Sequence, residues 1–321
     1  MLNLIKSDLY RITRVRGLRG SFWQYGLSLL VVYVMTVAMT IFARSSLFAS
    51  LAPGTANPVN SDFPSYTAYL ASMGGGIVPL CVCFMVVEHA LQELKNNYAR
   101  SVLSARGGRL SYFGGKVVFA GVLSAIMVLL EIVLVTAVAW IGGYTFATFD
   151  SPVELLGWFV GFWINIWALA VISLVVAYAT RVSPMSYICS FCFSLGVVAS
   201  LVSGLAYSTG GILRVLQPIR PALETLVAWM PSTSLGNLAS GGQMFGMRAA
   251  DIWGPSSLAL TVDPGIQALL TGVIWIVIAS AAVLAIARIQ MSRDPDYFGG
   301  PAPTRAMLDQ LEGEEASTAR E

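Results

Sequence analysis

The chain has 321 residues, of which 56% are hydrophobic and only 11% charged, and its mean hydropathy is +0.72. A soluble domain carries about 25% charged residues, so this composition excludes that class and predicts a polytopic membrane protein. The formal net charge of +2 is too small for an electrostatic footprint on nucleic acid, and the basic residues gather beside apolar runs, so nucleic acid is excluded as a partner in favour of membrane lipid and protein.

Residues 1–20 place Leu2, Ile5, Leu9 and Ile12 at helical spacing, with Lys6, Arg11, Arg14, Arg16 and Arg19 elsewhere. That pattern predicts an N-terminal helix lying in the membrane interface. The run 22–43 exceeds the roughly 7–15 apolar residues of a signal peptide and lacks a small-x-small cleavage site, so it reads as a retained first span. Residues 44–65 carry Pro53, Gly54, Asn57, Pro58 and Pro64 and read as an external loop. A second span is predicted over about 66–87, where Gly74-Gly75-Gly76 and Pro79 predict a kink or a close helix crossing.

The interval 93–116 is the one long polar stretch between apolar runs, with Glu93, Lys95, Tyr98, Arg100, Arg106, Arg109 and Lys116. Beyond it the third span covers about 117–141, a short connection with Asp150 and Pro152 follows, and the fourth covers about 155–179. A turn at 180–184 leads to a fifth span over about 185–206, rich in Ser and Gly, and the sixth covers about 266–287. Within the outer loop 207–265, Leu223, Leu226, Val227 and Met230 recur at helical spacing between Pro221 and Pro231. So short an apolar piece reads as a re-entrant or interfacial helix before the last span. The tail 288–321 is acidic and rich in Pro and Gly, a loosely ordered cytoplasmic end.

The fold class predicted is thus all-α, with a six-span transmembrane domain over 21–287. Orientation follows from the excess of Lys and Arg in cytoplasmic loops. With the N-terminus inside, inner segments hold 15 of the 19 basic residues, which puts both termini in the cytoplasm of a multi-pass cell-membrane protein.

Chemistry-bearing motifs are few. Cys81, Cys83, Cys189 and Cys192 lie in apolar runs and read as small hydrophobes, and the CxxC at Cys189 has no second pair or histidine to complete a metal site. Gly114-Gly115-Lys116 fails the P-loop spacing, since Leu110 stands where the first glycine belongs and Val117 follows the lysine. The chain therefore carries no ATPase motif, and with no HExxH, no GxSxG and no His and carboxylate cluster at metal-ligand spacing, neither a catalytic site nor a cofactor of its own is expected. His89, the single histidine, beside Glu88, reads as interfacial. Glu131 lies near the middle of the third span, where a charged carboxylate costs at least about 2.5–3.5 kcal/mol. It reads either as a group on the substrate path or as a packed, hydrogen-bonded residue with Asn165, Ser173 or Tyr178 as partner. Trp140, Trp158, Trp229, Trp253 and Trp275 fit an aromatic belt at the headgroup level.

The polar interval resembles the loop after the second transmembrane helix in ABC-2 type transporter permeases. The features that carry the resemblance are Glu93, Leu103-Ser104, Arg109 and Gly115-Lys116, with Arg106-Gly107-Gly108 where the family has Pro-Ile-Ser. The short helix before the last span is a second likeness. The resemblance implies a permease of an ATP-driven exporter in the bacterial plasma membrane, a homodimer or one of two paired permeases, meeting separate ABC ATPase subunits that bind ATP and Mg. It implies coupling to them through Glu93, Lys95, Tyr98, Arg100, Arg106, Arg109 and Lys116, and export of a peptide, lipid or amphiphilic drug by alternating access. Two other classes share this hydropathy: a non-transporting scaffold or immunity protein, and an intramembrane enzyme using Glu88, His89 or Glu131.

Overall fold

Apolar stretches of this length satisfy their backbone polar groups within a membrane only as helices, and helices dominate the computed structural model, which describes residues 2–14, 21–45, 62–74, 76–95, 109–207, 218–240 and 264–293. In chain order the elements are α1 (Leu2–Thr13), α2 (Ser21–Ala43), β1 (Asp62–Ser65), α3 (Tyr66–Gly74), α4 (Ile77–Lys95), α5 (Arg109–Gly142) and β2 (Thr145–Thr148). There follow α6 (Pro152–Thr180), α7 (Ser183–Ser194), α8 (Val197–Tyr207), α9 (Arg220–Ala228), α10 (Pro231–Ser240) and α11 (Pro264–Arg293). Five of these helices, α2, α4, α5, α6 and α11, are long and apolar enough to cross a membrane. The pair α7 and α8, bent by 67°, adds a sixth if it is one broken span.

Helix α6 is the centre of the bundle, packed against α4, α5, α7, α10 and α11. Its start is fixed by a capping box in which Ser151 accepts from the Glu154 amide at 3.3 Å and Glu154 accepts from the Ser151 amide at 2.8 Å. Pro152 follows at a position where its missing N–H costs nothing, and Arg181, at φ 55°, closes the other end in the left-handed conformation. The neighbours approach closely through small residues. A Cβ on Gly272 of α11 would stand 2.1 Å from Ile164 Cγ2, and one on Gly121 of α5 would stand 2.6 Å from the Trp167 ring. Polar side chains then bridge the crossings. Asn165 donates to Gly161 O at 2.8 Å and to Ala268 O at 2.9 Å, while Trp163 and Trp167 donate to Gly121 O and Val117 O at 2.8 and 2.9 Å. Where hydrocarbon supplies no hydrophobic drive between helices, such close packing and hydrogen bonding hold them.

Several boundaries differ from the sequence reading. The helix expected over 66–87 is two helices, α3 ending at Gly74 and α4 starting at Ile77. The fifth apolar run breaks at Leu195-Gly196, where Gly196 takes φ +71°. Both polar flanks of the 93–116 interval are helical: α4 runs on to Lys95 and α5 starts at Arg109. Helix α11 likewise carries the chain to Arg293, into the expected tail. The expected loops 44–65 and 142–154 each supply a short strand, and β1 and β2 pair in parallel with Phe63 opposite Phe146. Aromatic packing fastens this ladder to the bundle, with Phe63 5.0 Å and Tyr144 5.2 Å from the Tyr69 ring. Trp158 is no belt residue: it is fully buried and stacks on Phe162 at 4.8 Å. Trp253 lies outside the described residues, as do much of the outer loop and the tail beyond Arg293.

The α6–α11 crossing predicts an asymmetry between two glycine substitutions. Gly272→Ala should destabilise by about 1–3 kcal/mol, because its methyl meets Ile164 side chain and backbone. Gly204→Ala on α8 meets nothing within 4 Å and gains helix propensity, so it should be neutral or stabilising. Thermal unfolding of the two variants in one detergent checks this, and equal melting temperatures would contradict the crossing.

Candidate functional site: a buried charge cluster

Three helices each contribute a pair of polar residues one turn apart. Helix α1 brings Asp8 and Arg11, α4 brings His89 and Glu93, and α5 brings Tyr112 and Lys116. On a helix such spacings place both side chains on one face, and here the three faces converge. Asp8, His89, Glu93 and Lys116 are each 5% exposed or less.

The Lys116 ammonium is the hub. It has three N–H donors and lies 2.7 Å from Glu93 Oε1, 2.8 Å from Asp8 Oδ2 and 3.2 Å from His89 Nε2, a nitrogen that is itself 3.4 Å from Asp8 Oδ1. Arg11 reaches the same Glu93 oxygen at 2.5 Å, and the Tyr112 hydroxyl donates to Glu93 Oε2 at 2.7 Å. The Lys116 ammonium also lies 5.1 Å from the centre of the Tyr112 ring, a cation–π distance. Phe119 packs on the His89 ring at 5.1 Å, and together with Phe113 against Tyr178 it screens the cluster from solvent. Two carboxylates therefore face two cations in a low-dielectric pocket, a balance without which burial of any one of them would be very costly.

Asp8 lies on α1, outside the membrane-spanning helices. Burial pushes its carboxyl pKa up, but the His89 hydrogen bond and the Lys116 charge outweigh burial, so the group is held below the usual aspartate range. A depressed pKa means a stabilisation that is present above the unfolded value and lost as pH falls through the folded one.

The donor set Asp8, His89 and Glu93 has ligand atoms all within 4.8 Å of one another and is the kind of group that binds a divalent cation. The Lys116 ammonium occupies the position between them, so the chain supplies the cation from its own sequence. What the arrangement can do is mechanical: it ties α1 to the ends of α4 and α5 that border residues 96–108.

Of the residues expected to contact an ATPase, the structure buries Glu93 and Lys116 within this cluster and brings them together. Lys95 is exposed at the end of α4. Arg109 starts α5, but its side chain, like Tyr98, Arg100 and Arg106, lies outside the described residues. Sequence reasoning missed Asp8, Arg11 and Tyr112 and took His89 for an isolated interfacial residue. The signal that could have found them is the paired polar spacing in 8/11, 89/93 and 112/116.

Glu131 stands apart, in the middle of α5 at 1% exposure. Neither carboxylate oxygen has a hydrogen-bond partner among the described residues. Two of the expected partners are engaged elsewhere, Asn165 with Gly161 and Ala268, and Ser173 with Leu169 O at 3.0 Å. The Tyr33 hydroxyl of α2, also buried and without a partner, is within electrostatic reach of Glu131.

Lys116→Met should cost about 3–5 kcal/mol by leaving Asp8 and Glu93 facing each other with half their compensation gone. It should also free α1, so that a cysteine placed at Ile12, 3% exposed in the native fold, becomes reactive to a thiol reagent. In the otherwise native protein the same label should appear on acidification only below about pH 4, the ordinary aspartate value. Slow labelling in the Lys116→Met protein would contradict the clamp. Family models and curated proteins give no match to this chain.

Proposed function

We propose that the chain is the membrane-spanning subunit of an ATP-driven ABC-2 type exporter. In this reading the bent pair α7 and α8 is the fifth of six spans, both termini are cytoplasmic, and the protein sits in a bacterial plasma membrane as a homodimer or with a related permease. Separate ATPase subunits bind ATP and Mg.

The observation that carries the reading is the clamping of α4 and α5 around the polar interval. Residues 96–108 are carried by two helix ends that are joined to each other and to α1 by Glu93, Lys116 and Asp8. A push on the interval is then delivered to two long helices as a unit instead of being absorbed by a soft loop. Helix α5 runs 34 residues, and α4 packs directly on the central α6, so the displacement reaches the bundle core. Packed interfaces switch between discrete arrangements more readily than they deform, which suits alternating access.

The cluster divides the expected contact residues by role. Glu93 and Lys116 hold the helix ends, and the outward contacts fall to Lys95, Tyr98, Arg100, Arg106 and Arg109. Arginine pairs bidentately with carboxylates and tyrosine supplies rigid buried area, both favoured at protein interfaces. Glu131 and Tyr33, two of the buried polar groups without a hydrogen-bond partner among the described residues, are assigned to the path of a peptide, lipid or amphiphilic drug on its way out.

Purification of the tagged chain in mild detergent should bring down an ATP-binding cassette ATPase. Lys substituted for Arg100, Arg106 and Arg109 keeps charge and topology while removing the guanidinium forks, and should weaken that association by about tenfold or more with transport lost. The triple variant holding its ATPase at full strength would sink the docking assignment, and no ATPase in the wild-type eluate would favour a non-transporting scaffold.

A further inference from the structure

Helices α2 and α5 run side by side, and between them lies an open groove of about 420 Å³. Tyr33, Val37 and Val138 line its inner part, and Val34, Ile41 and Ile141 form exposed walls. Along α2 it extends from Leu30 to Ile41, which at 1.5 Å per residue is roughly 16 Å. That is about half the ~30 Å hydrocarbon core, the depth of one leaflet. Its lining is wholly hydrocarbon apart from the buried Tyr33 hydroxyl.

One end of the groove is built differently. Just past Ile41, exposed Arg44 donates from Nη1 to the Gly142 carbonyl, and its guanidinium lies 5.5 Å from the centre of the Tyr144 ring. Tyr144 is itself fixed, its hydroxyl 2.9 Å from Thr40 Oγ1. The corner needs its glycines: a Cβ on Gly142 would meet the Tyr144 ring at 2.7 Å, and Gly143 takes φ +62°. The arginine is thus oriented by its ring and by the Gly142 and Gly143 carbonyls, the second 3.5 Å from Nη1, while its Nη2 and Nε groups have no partner among the described residues. Trp140, 88% exposed, stands on α5 at the same end, as an indole does at the headgroup level.

We propose that this groove is a phospholipid site, with an acyl chain lying between α2 and α5 and the lipid phosphate held by Arg44. The occupant is fixed by three matches: a slot one leaflet deep, a lining that offers nothing to a polar ligand, and a positioned guanidinium where that leaflet meets water. A guanidinium is the side chain best suited to a phosphate, because its planar fork donates two parallel hydrogen bonds. A helix from a second copy would fill the slot equally well but would leave the guanidinium without an anion. The site rests on the membrane-embedded reading of α2 and α5 alone and stands whether or not the chain couples to an ATPase.

Native mass spectrometry of the full chain, released from nanodiscs of phosphatidylglycerol and phosphatidylcholine, tests this. The wild-type protein should retain phosphatidylglycerol. Arg44→Gln should reduce that retention by about fivefold, and Arg44→Lys should recover part of it. Ala137→Trp, which fills the groove from an exposed position on its wall, should abolish retention of both lipids without lowering the melting temperature. Equal lipid retention by wild type, Arg44→Gln and Ala137→Trp would overturn the proposal. So would an Ala137→Trp protein that keeps its lipid but changes from dimer to monomer, which would give the groove to a second copy.

Discussion

An ammonium group taken out of water, together with the two carboxylates that neutralise it, is stable only while all its partners stay in place. Lys116 is such a group, and its partners come from helices that are far apart in sequence: Asp8 on α1 lies 108 residues away and Glu93 on α4 lies 23 away. The geometry is unforgiving, since one ammonium lies within hydrogen-bond distance of Glu93, Asp8 and His89 at once. The positions of α1, of the last turn of α4 and of the first turns of α5 are therefore linked, and moving any one breaks bonds to the other two. The ends of α4 and α5 that border residues 96–108 are thereby joined to each other and to α1.

The clamped helices meet the rest of the bundle at α6, against which both α4 and α5 pack. Close crossings at Gly272 and Gly121, and hydrogen bonds from Asn165, Trp163 and Trp167 to backbone carbonyls, leave the central helix little freedom to slide. By contrast, α2 and α11 turn most of their apolar surface outward, with Val34, Met39 and Val277 more than half exposed. An exposed apolar surface of this extent is what a lipid environment or a second membrane subunit covers. The molecule thus combines a tight centre, a periphery suited to lipid, and a charged clamp at one end.

Much of the architecture was legible because hydropathy and period are local signals. The runs at 22–43, 117–141, 155–179 and 266–287 all lie within single helices, and the amphipathic spacing of Leu2, Ile5, Leu9 and Ile12 marks α1. The failures share a cause. Glu93 and Lys116 look like loop residues because charge near an apolar run reads as solvent-facing, and only a contact made across the fold reveals that they neutralise each other. Trp158 looks like a belt residue because it is close to the predicted end of a span, whereas its face is decided by packing on Phe162. The strands β1 and β2 are four residues each, beside Pro and Gly, and owe their pairing to aromatic contacts with Tyr69 and Tyr144. The break at Leu195-Gly196 carries no hydropathy signal, since the residues on both sides remain apolar.

A double-mutant cycle between Asp8 and Lys116 measures the clamp most directly, using Asp8→Asn, Lys116→Met and the combined variant, each unfolded thermally in the same detergent. Partners in one buried network couple by about 0.5–3 kcal/mol, and this contact predicts the upper half of that range, with the double variant more stable than the sum of the single losses implies. Additive losses, agreeing within about 0.3–0.5 kcal/mol as they do for independent sites, would show that α1 is not held by Lys116 and would contradict the account.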